Sequence, residues 1–221
     1  MVISKLLKQV MLVLVFMSTS LIAHDILLEF KGAYFLSTGS HFKKIYNHGG
    51  ALCGPEVTFS LSDEEGWCED WYGFASIDFL TKKGHSIGLC TPTKVYMVPV
   101  TFGAKYLVPF SCGDFYVGLG LQAVYLKTKN FSPFVIPCTS EWGVGGIAKI
   151  GSYFDLPHNL FIDVFIDYSF VKVGQKNNYS NIIDFIPNPA PINGATPLVV
   201  EPIRANLSGA VFGIGLGYRF N

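Results

Sequence analysis

Phe115-Tyr116-Val117-Gly118-Leu119-Gly120-Leu121-Gln122-Ala123-Val124-Tyr125 reads as one strand with two unlike faces. Successive side chains on a strand point to opposite sides. One row is therefore Phe115, Val117, Leu119, Leu121, Ala123 and Tyr125, and the other Tyr116, Gly118, Gly120, Gln122 and Val124. The first row is apolar and carries no charge; the second is small or polar. A soluble sandwich also alternates, but its water-facing row is rich in Lys, Glu, Thr and Ser. A row dominated by glycine fits a confined space better.

Two later segments repeat the pattern. Leu160, Ile162, Val164, Ile166, Tyr168 and Phe170 oppose Asp163, Asp167 and Ser169. Ala210, Phe212, Ile214, Leu216, Tyr218 and Phe220 oppose a row of glycines ending in Arg219. Five weaker segments, 26–37, 56–62, 71–82, 93–109 and 143–154, bring the number of strands to eight. Pro99 falls inside one of them and, lacking an N–H for the ladder, suggests a bulge or local distortion. Uncharged rows of five or six residues suit tilted strands of about 9–11 residues crossing hydrocarbon. Backbone groups in lipid must all be paired, so such a sheet has to close. The expectation is an all-β, eight-stranded antiparallel up-and-down transmembrane β-barrel.

The composition agrees. Of 221 residues, 50% are hydrophobic and only 14% charged, against about 25% charged in an ordinary soluble domain. No stretch reaches the ~20 apolar residues of a spanning helix. The net charge is zero, without the basic surplus that nucleic-acid binding requires. Residues 1–23 read as a signal peptide: Lys5 and Lys8 precede the apolar run Val10 to Met17, then Ser18, Thr19, Ser20 and Ala23. Residues 24–221 form one barrel domain. Short turns are expected at 63–69, 110–114 and 156–159, and long connections at 39–54, 83–92, 130–142 and 175–204. Outer-membrane barrels have short periplasmic turns and longer extracellular loops, so with both termini periplasmic the four long connections, including the proline-rich 175–204, face outward.

The last residues, Gly213-Ile214-Gly215-Leu216-Gly217-Tyr218-Arg219-Phe220, resemble the C-terminal assembly signal of bacterial outer-membrane barrels, with Gly215, Tyr218 and Phe220 in the motif positions. Asn221 departs from that pattern, which ends on Phe. Across nearly its whole mature length the chain resembles the small OmpA/OmpX/OmpW-type barrels. The resemblance implies residence in the outer membrane among lipids and lipopolysaccharide, insertion by the barrel-assembly machinery, and roles in envelope structure, adhesion or passage of small solutes.

The inward rows hold Glu29, Lys31, Glu56, Asp78, Lys105, Lys149, Asp163, Asp167 and Arg219. An eight-stranded barrel has an interior that side chains can fill, and confined charges are costly unless paired. Near-equal numbers of acids and bases favour an ion-pair plug. The other reading is a narrow pore or carrier, gated by Asp163 and Asp167 with Lys105, Lys149 or Arg219. Gly84-His85-Ser86-Ile87-Gly88 matches G-x-S-x-G but lacks the strand–turn–helix context of a nucleophile elbow; an outer-leaflet lipid-modifying enzyme is the distant third reading, and no enzyme, cofactor or metal site is expected. His41, His48 and His85 match no compact ligand spacing, and Tyr34, Trp71, Tyr125 and Trp142 read as interfacial residues. Five cysteines are present. Cys53, Cys90 and Cys138 fall in the outer connections, while Cys68 and Cys112 fall in neighbouring periplasmic turns and form the favoured disulfide. A leftover thiol could link to another envelope protein.

Overall fold

The structure, a computed structural model, describes residues 25–61, 70–85, 91–131, 138–174 and 204–220. The signal peptide, Cys68, Cys90 and nearly all of 175–204 lie outside the described residues. The elements are β1 (Ile26–Ser37), α1 (Ser40–Tyr46), β2 (Gly49–Ser60), β3 (Trp71–Ile77), β4 (Phe79–His85), β5 (Pro92–Phe110), β6 (Gly113–Asn130), β7 (Cys138–Asp155), β8 (Leu160–Gly174), β9 (Arg204–Asn206) and β10 (Gly209–Phe220).

These make a closed ring of eight antiparallel strands. β1 pairs with β2 on one side and β10 on the other, with Ile26 opposite both Phe59 and Phe220. β3 and β4 are halves of one strand, because Ile77↔Val100 and Leu80↔Met97 share a register against β5. β9 and β10 are likewise continuous along β8, by Lys172↔Asn206 and Ser169↔Gly209.

The break at Asp78 corrects the expectation for Pro99. β5 runs through Pro99 without an inserted residue, Pro99 facing Val124 in register. The interruption falls on the neighbouring strand instead. Asp78 N–H donates to the Pro99 carbonyl at 3.0 Å, and Pro99 has no N–H to return. On the other side the β2 ladder lapses between Glu56↔Ser76 and Cys53↔Phe79, the interval that holds Pro55.

The second strand starts at Gly49, seven residues before the alternation suggested. Gly49-Gly50 and Gly54-Pro55 look like turn residues, but β1 supplies a full partner edge from Leu36 to Ile26. Glycine is needed there: a Cβ at Gly49 would lie 1.7 Å from the Phe35 carbonyl oxygen. The connection expected at 39–54 shrinks to residues 38–48, most of it α1. β4, β5, β6 and β7 also run farther than expected, shortening the next two connections to 86–91 and 131–137. Segment 61–70 is no shorter than these, so the contrast between the two barrel ends holds only for 111–112 and 156–159 against 38–48 and 175–203.

The outer wall is apolar all round: Leu119 is 72% exposed, Val144 71%, Ile214 64% and Phe30 60%. Aromatic pairs border it at both ends, Trp71–Tyr106, Phe110–Phe154 and Tyr218–Phe220 near the termini, Tyr125–Trp142 and Tyr34–Phe212 near the loops. Soluble monomers rarely expose contiguous apolar patches beyond a few hundred Å².

The inner rows are more apolar than the glycine pattern implied. Near the termini, Leu27, Leu107, Tyr116, Tyr153 and Phe161 fill the lumen; toward the loops, Phe35, Leu80, Met97, Val124 and Val211 do so. α1 covers that end, its Phe42 ring edge-on to Phe35 at 5.9 Å and its Tyr46 hydroxyl 3.3 Å from Thr93 Oγ1. Most of the inward charges lie between the two apolar layers.

Candidate functional site in the barrel lumen

Seven of the inward charges meet in one buried layer. β1 contributes Glu29 and Lys31, β2 Glu56, β5 Lys105, β7 Lys149, and β8 Asp163 and Asp167. Alternation aims each side chain inward, and register sets which ones face. Lys149 lies directly opposite Asp167, and Glu29 opposite Glu56. That last pair is like-charged and is held by Lys31 of β1 itself and by Lys105 and Lys149 from strands farther round the ring.

Glu56 is the hub. Its Oε2 is 2.9 Å from Lys31 Nζ and 2.8 Å from Lys149 Nζ, while its Oε1 accepts from Lys105. Lys31 also reaches Glu29 at 3.3 Å and Asp163 at 3.4 Å, and Lys149 reaches Asp167 at 3.0 Å. Tyrosines complete the shell: Lys105 donates to the Tyr153 hydroxyl at 2.7 Å, and Tyr116 donates to Asp163 at 3.1 Å. Lys105 sits 4.5 Å from the Tyr116 ring centroid, and Lys31 4.5 Å from that of Phe165, within range of a cation–π attraction.

The glycine rows now have a physical reason. Gly118 lies between Lys105 and Lys149 on the adjoining strands, and Gly215 between Lys31 and Asp163. Each leaves the space through which long side chains cross the ladder. A Cβ at Gly118 would be 2.9 Å from Lys105 Cγ, and one at Gly215 2.7 Å from Glu29 Oε2. Gly118→Val is therefore expected to destabilise the barrel by about 1–3 kcal/mol, the range for overpacking, measured by urea unfolding in phospholipid vesicles. The same change at Gly146, where a Cβ would meet only the Gly120 carbonyl oxygen at 3.7 Å, should have little effect.

Two of the nine inward charges stand apart from this layer. Arg219 joins Asp114 at 2.6 Å and Asp155 at 3.5 Å, near the terminal rim. Asp78 lines a cavity of about 30 Å³ with Thr101, Gln122, Lys149, Asp167 and Ser169, room for about two waters. Beside it, Gln122 donates to Thr101 at 3.2 Å and accepts from Ser169. Asp163 and Asp167 face different lysines, Lys31 and Lys149, and neither pairs with Arg219. The partners missed from sequence are Asp114, Asp155 and the two tyrosines. Tyr116 was already on the inward row, whereas Asp114 read as a turn residue and Asp155 fell between the segment 143–154 and the turn 156–159.

Among the motif residues, Gly215 faces the lumen, while Tyr218 and Phe220 lie exposed on the outer wall with ring centroids 4.7 Å apart. Phe220 pairs with Ile26 at the closing seam. Gly84 and His85 end β4 opposite Thr93 and Pro92; Ser86 to Gly88 lie outside the described residues. Cys112 is exposed in the β5–β6 turn, and its expected pairing with Cys68 lies outside the described residues. Cys53 is corrected from loop to strand: it is exposed in β2, opposite Gly32 and Phe79. Cys138 opens β7 opposite Lys129, also in the sheet.

No family model matches the chain, and no curated protein matches it in sequence. Among solved structures it is similar to Ail, the attachment invasion locus protein of Yersinia pestis, at 13% identity, covering 89% of this chain and 98% of that one with a TM-score of 0.50. The structure of Ail with the heparin analogue sucrose octasulfate matches at 15% identity over the same shares, with a TM-score of 0.51. Neisserial surface protein A matches at 12% identity, over 88% and 97%, with a TM-score of 0.47. What this chain has in common with Ail is the fold, a small closed antiparallel β-barrel.

Proposed function

We propose that this chain is an exported protein of the bacterial outer membrane, a sealed barrel that holds surface segments in place and serves a structural or surface-contact role. Its partners on this reading are outer-leaflet lipids and lipopolysaccharide around the wall. The barrel-assembly machinery would engage Gly215, Tyr218 and Phe220, and other envelope proteins could be reached through an exposed thiol such as Cys138. Ail, similar in fold, is named for attachment and invasion, the class of role proposed here.

The observation that carries the reading is the charged layer. Glu29, Lys31, Glu56, Lys105, Lys149, Asp163 and Asp167 are all at most 5% exposed and lie between two apolar layers. A solute crossing there would have to separate buried ion pairs, which is strongly unfavourable when one partner is left uncompensated. The lumen therefore favours a scaffold over a pore. Purified protein in planar bilayers is expected to give no unitary conductance, and Asp167→Asn is expected to be equally silent. Discrete steps that change with Asp167→Asn would replace the scaffold by the pore. Location is tested by the band shift between unboiled and boiled samples of outer-membrane fractions, together with protease cleavage of 175–204 on intact cells.

A further inference from the structure

On the outer wall, β4, β5 and β6 continue past the aromatic band at Tyr125 and Trp142. Lys83 of β4 lies directly opposite Lys94 of β5, and Lys94 directly opposite Lys129 of β6. Residues opposite one another point to the same face, so three lysines form a row across three strands. Lys127, two residues below Lys129 and opposite Tyr96, belongs to the same face. The ammonium groups of Lys94 and Lys129 converge on one ring, 4.6 and 5.6 Å from the Tyr96 centroid.

Like charges directly opposite on a sheet repel, and the Tyr96 ring offsets this only in part, without neutralising any charge. None of the four lysines makes an ion pair with a described residue. The connecting sequences Ser-Ile-Gly-Leu-Cys at 86–90 and Ser-Pro-Phe-Val-Ile-Pro at 132–137 contain no acid. Glu141, the nearest acid in β7, is opposite Leu126 and shares its inward face.

Depth indicates the missing anion. Aromatic residues mark the boundary between hydrocarbon and headgroups. Lys127 and Lys129 lie about 7 and about 14 Å farther along the strand than Tyr125, at ~3.4 Å per residue, which is headgroup territory. Lys83 and Lys129 are two strand spacings apart, about 10 Å, so the row spans more than one phosphate. We propose that Lys83, Lys94, Lys127 and Lys129 form a docking site on the barrel wall for the phosphates of an outer-leaflet glycolipid. The site rests on the outer-membrane reading above.

The test uses the full mature chain folded into phosphatidylcholine nanodiscs that contain a minor fraction of bisphosphorylated lipid A or of its dephosphorylated form. Lipid retained by each barrel is counted by native mass spectrometry. The expected result is retention of the phosphorylated form at least roughly tenfold above the other, falling with added salt. Replacing all four lysines by Gln should abolish the preference, while Lys43→Gln with Lys44→Gln on α1 should keep it. A quadruple variant that keeps the preference overturns the site, as does equal retention of both lipids by the unaltered chain. Inorganic pyrophosphate bound equally well in plain phosphatidylcholine discs would overturn the lipid assignment in favour of a soluble anion. A chain that fails to enter nanodiscs as a compact, heat-modifiable species overturns the outer-membrane reading itself; insertion without preference overturns the lysine site alone.

Discussion

Glu56→Gln is expected to destabilise the folded barrel by about 3–5 kcal/mol, the cost of breaking a buried ion pair from one side. Glu56 is 1% exposed and faces three lysines, Lys31, Lys105 and Lys149, within 2.9 Å or less. Neutralising it leaves those lysines with Glu29, Asp163 and Asp167 as their remaining acids, and Lys105 then keeps only Glu29 at 4.0 Å. Bulk water cannot replace what is lost, because apolar layers border the charges above and below and the cavity beside Asp78 has room for only about two waters. Urea titration in phosphatidylcholine vesicles, read as the ratio of compact to extended band, measures the change. Pairing the substitution with Lys105→Met should recover part of the loss, since Lys105 is the lysine left without a close acid when Glu56 is neutral. A loss below about 1 kcal/mol would mean that the layer is hydrated, and the sealed-lumen reading would go with it.

The second large effect is on the opposite face. Leu119→Arg, at a position 72% exposed in the middle of β6, is expected to cost about 2–4 kcal/mol in vesicles, whereas Tyr125→Arg at the band's edge should cost about 0–1 kcal/mol beyond lost packing. The sign separates the environments. In water, replacing an exposed leucine by arginine on a sheet would be close to neutral and would improve solubility; in hydrocarbon it introduces a charge with no solvation. A flat profile between residues 119 and 125 would show that the wall does not face acyl chains.

Three strands carried most of the fold in the linear sequence. In 115–125, 160–170 and 210–220 the outward row is apolar without interruption, so period 2 was visible and fixed each strand's two faces. Where both rows are apolar or the strand is glycine-rich, as at Gly49–Gly54, no alternation exists to read. There the partner strand β1 decided, since an edge of unpaired N–H and C=O groups draws in any chain that can lie flat against it. The interruption near Pro99 was legible as chemistry but assigned to the wrong strand, because the missing donor of one strand is felt by its neighbour.

The sequence by itself determined that two incompatible surfaces had to be separated: one row without charge, the other carrying acids and bases in near balance. Alternation is local, and it is enough to say which side chains share a face. Tertiary structure alone decided who pairs with whom. Lys31 reaches Asp163 across Gly215, Glu29 is set against Glu56, and Arg219 leaves the central layer for Asp114 and Asp155. Lys83, Lys94 and Lys129 likewise become neighbours only when three strands align. These pairings follow from register around a closed ring, a property of eight strands together, and no single segment contains it.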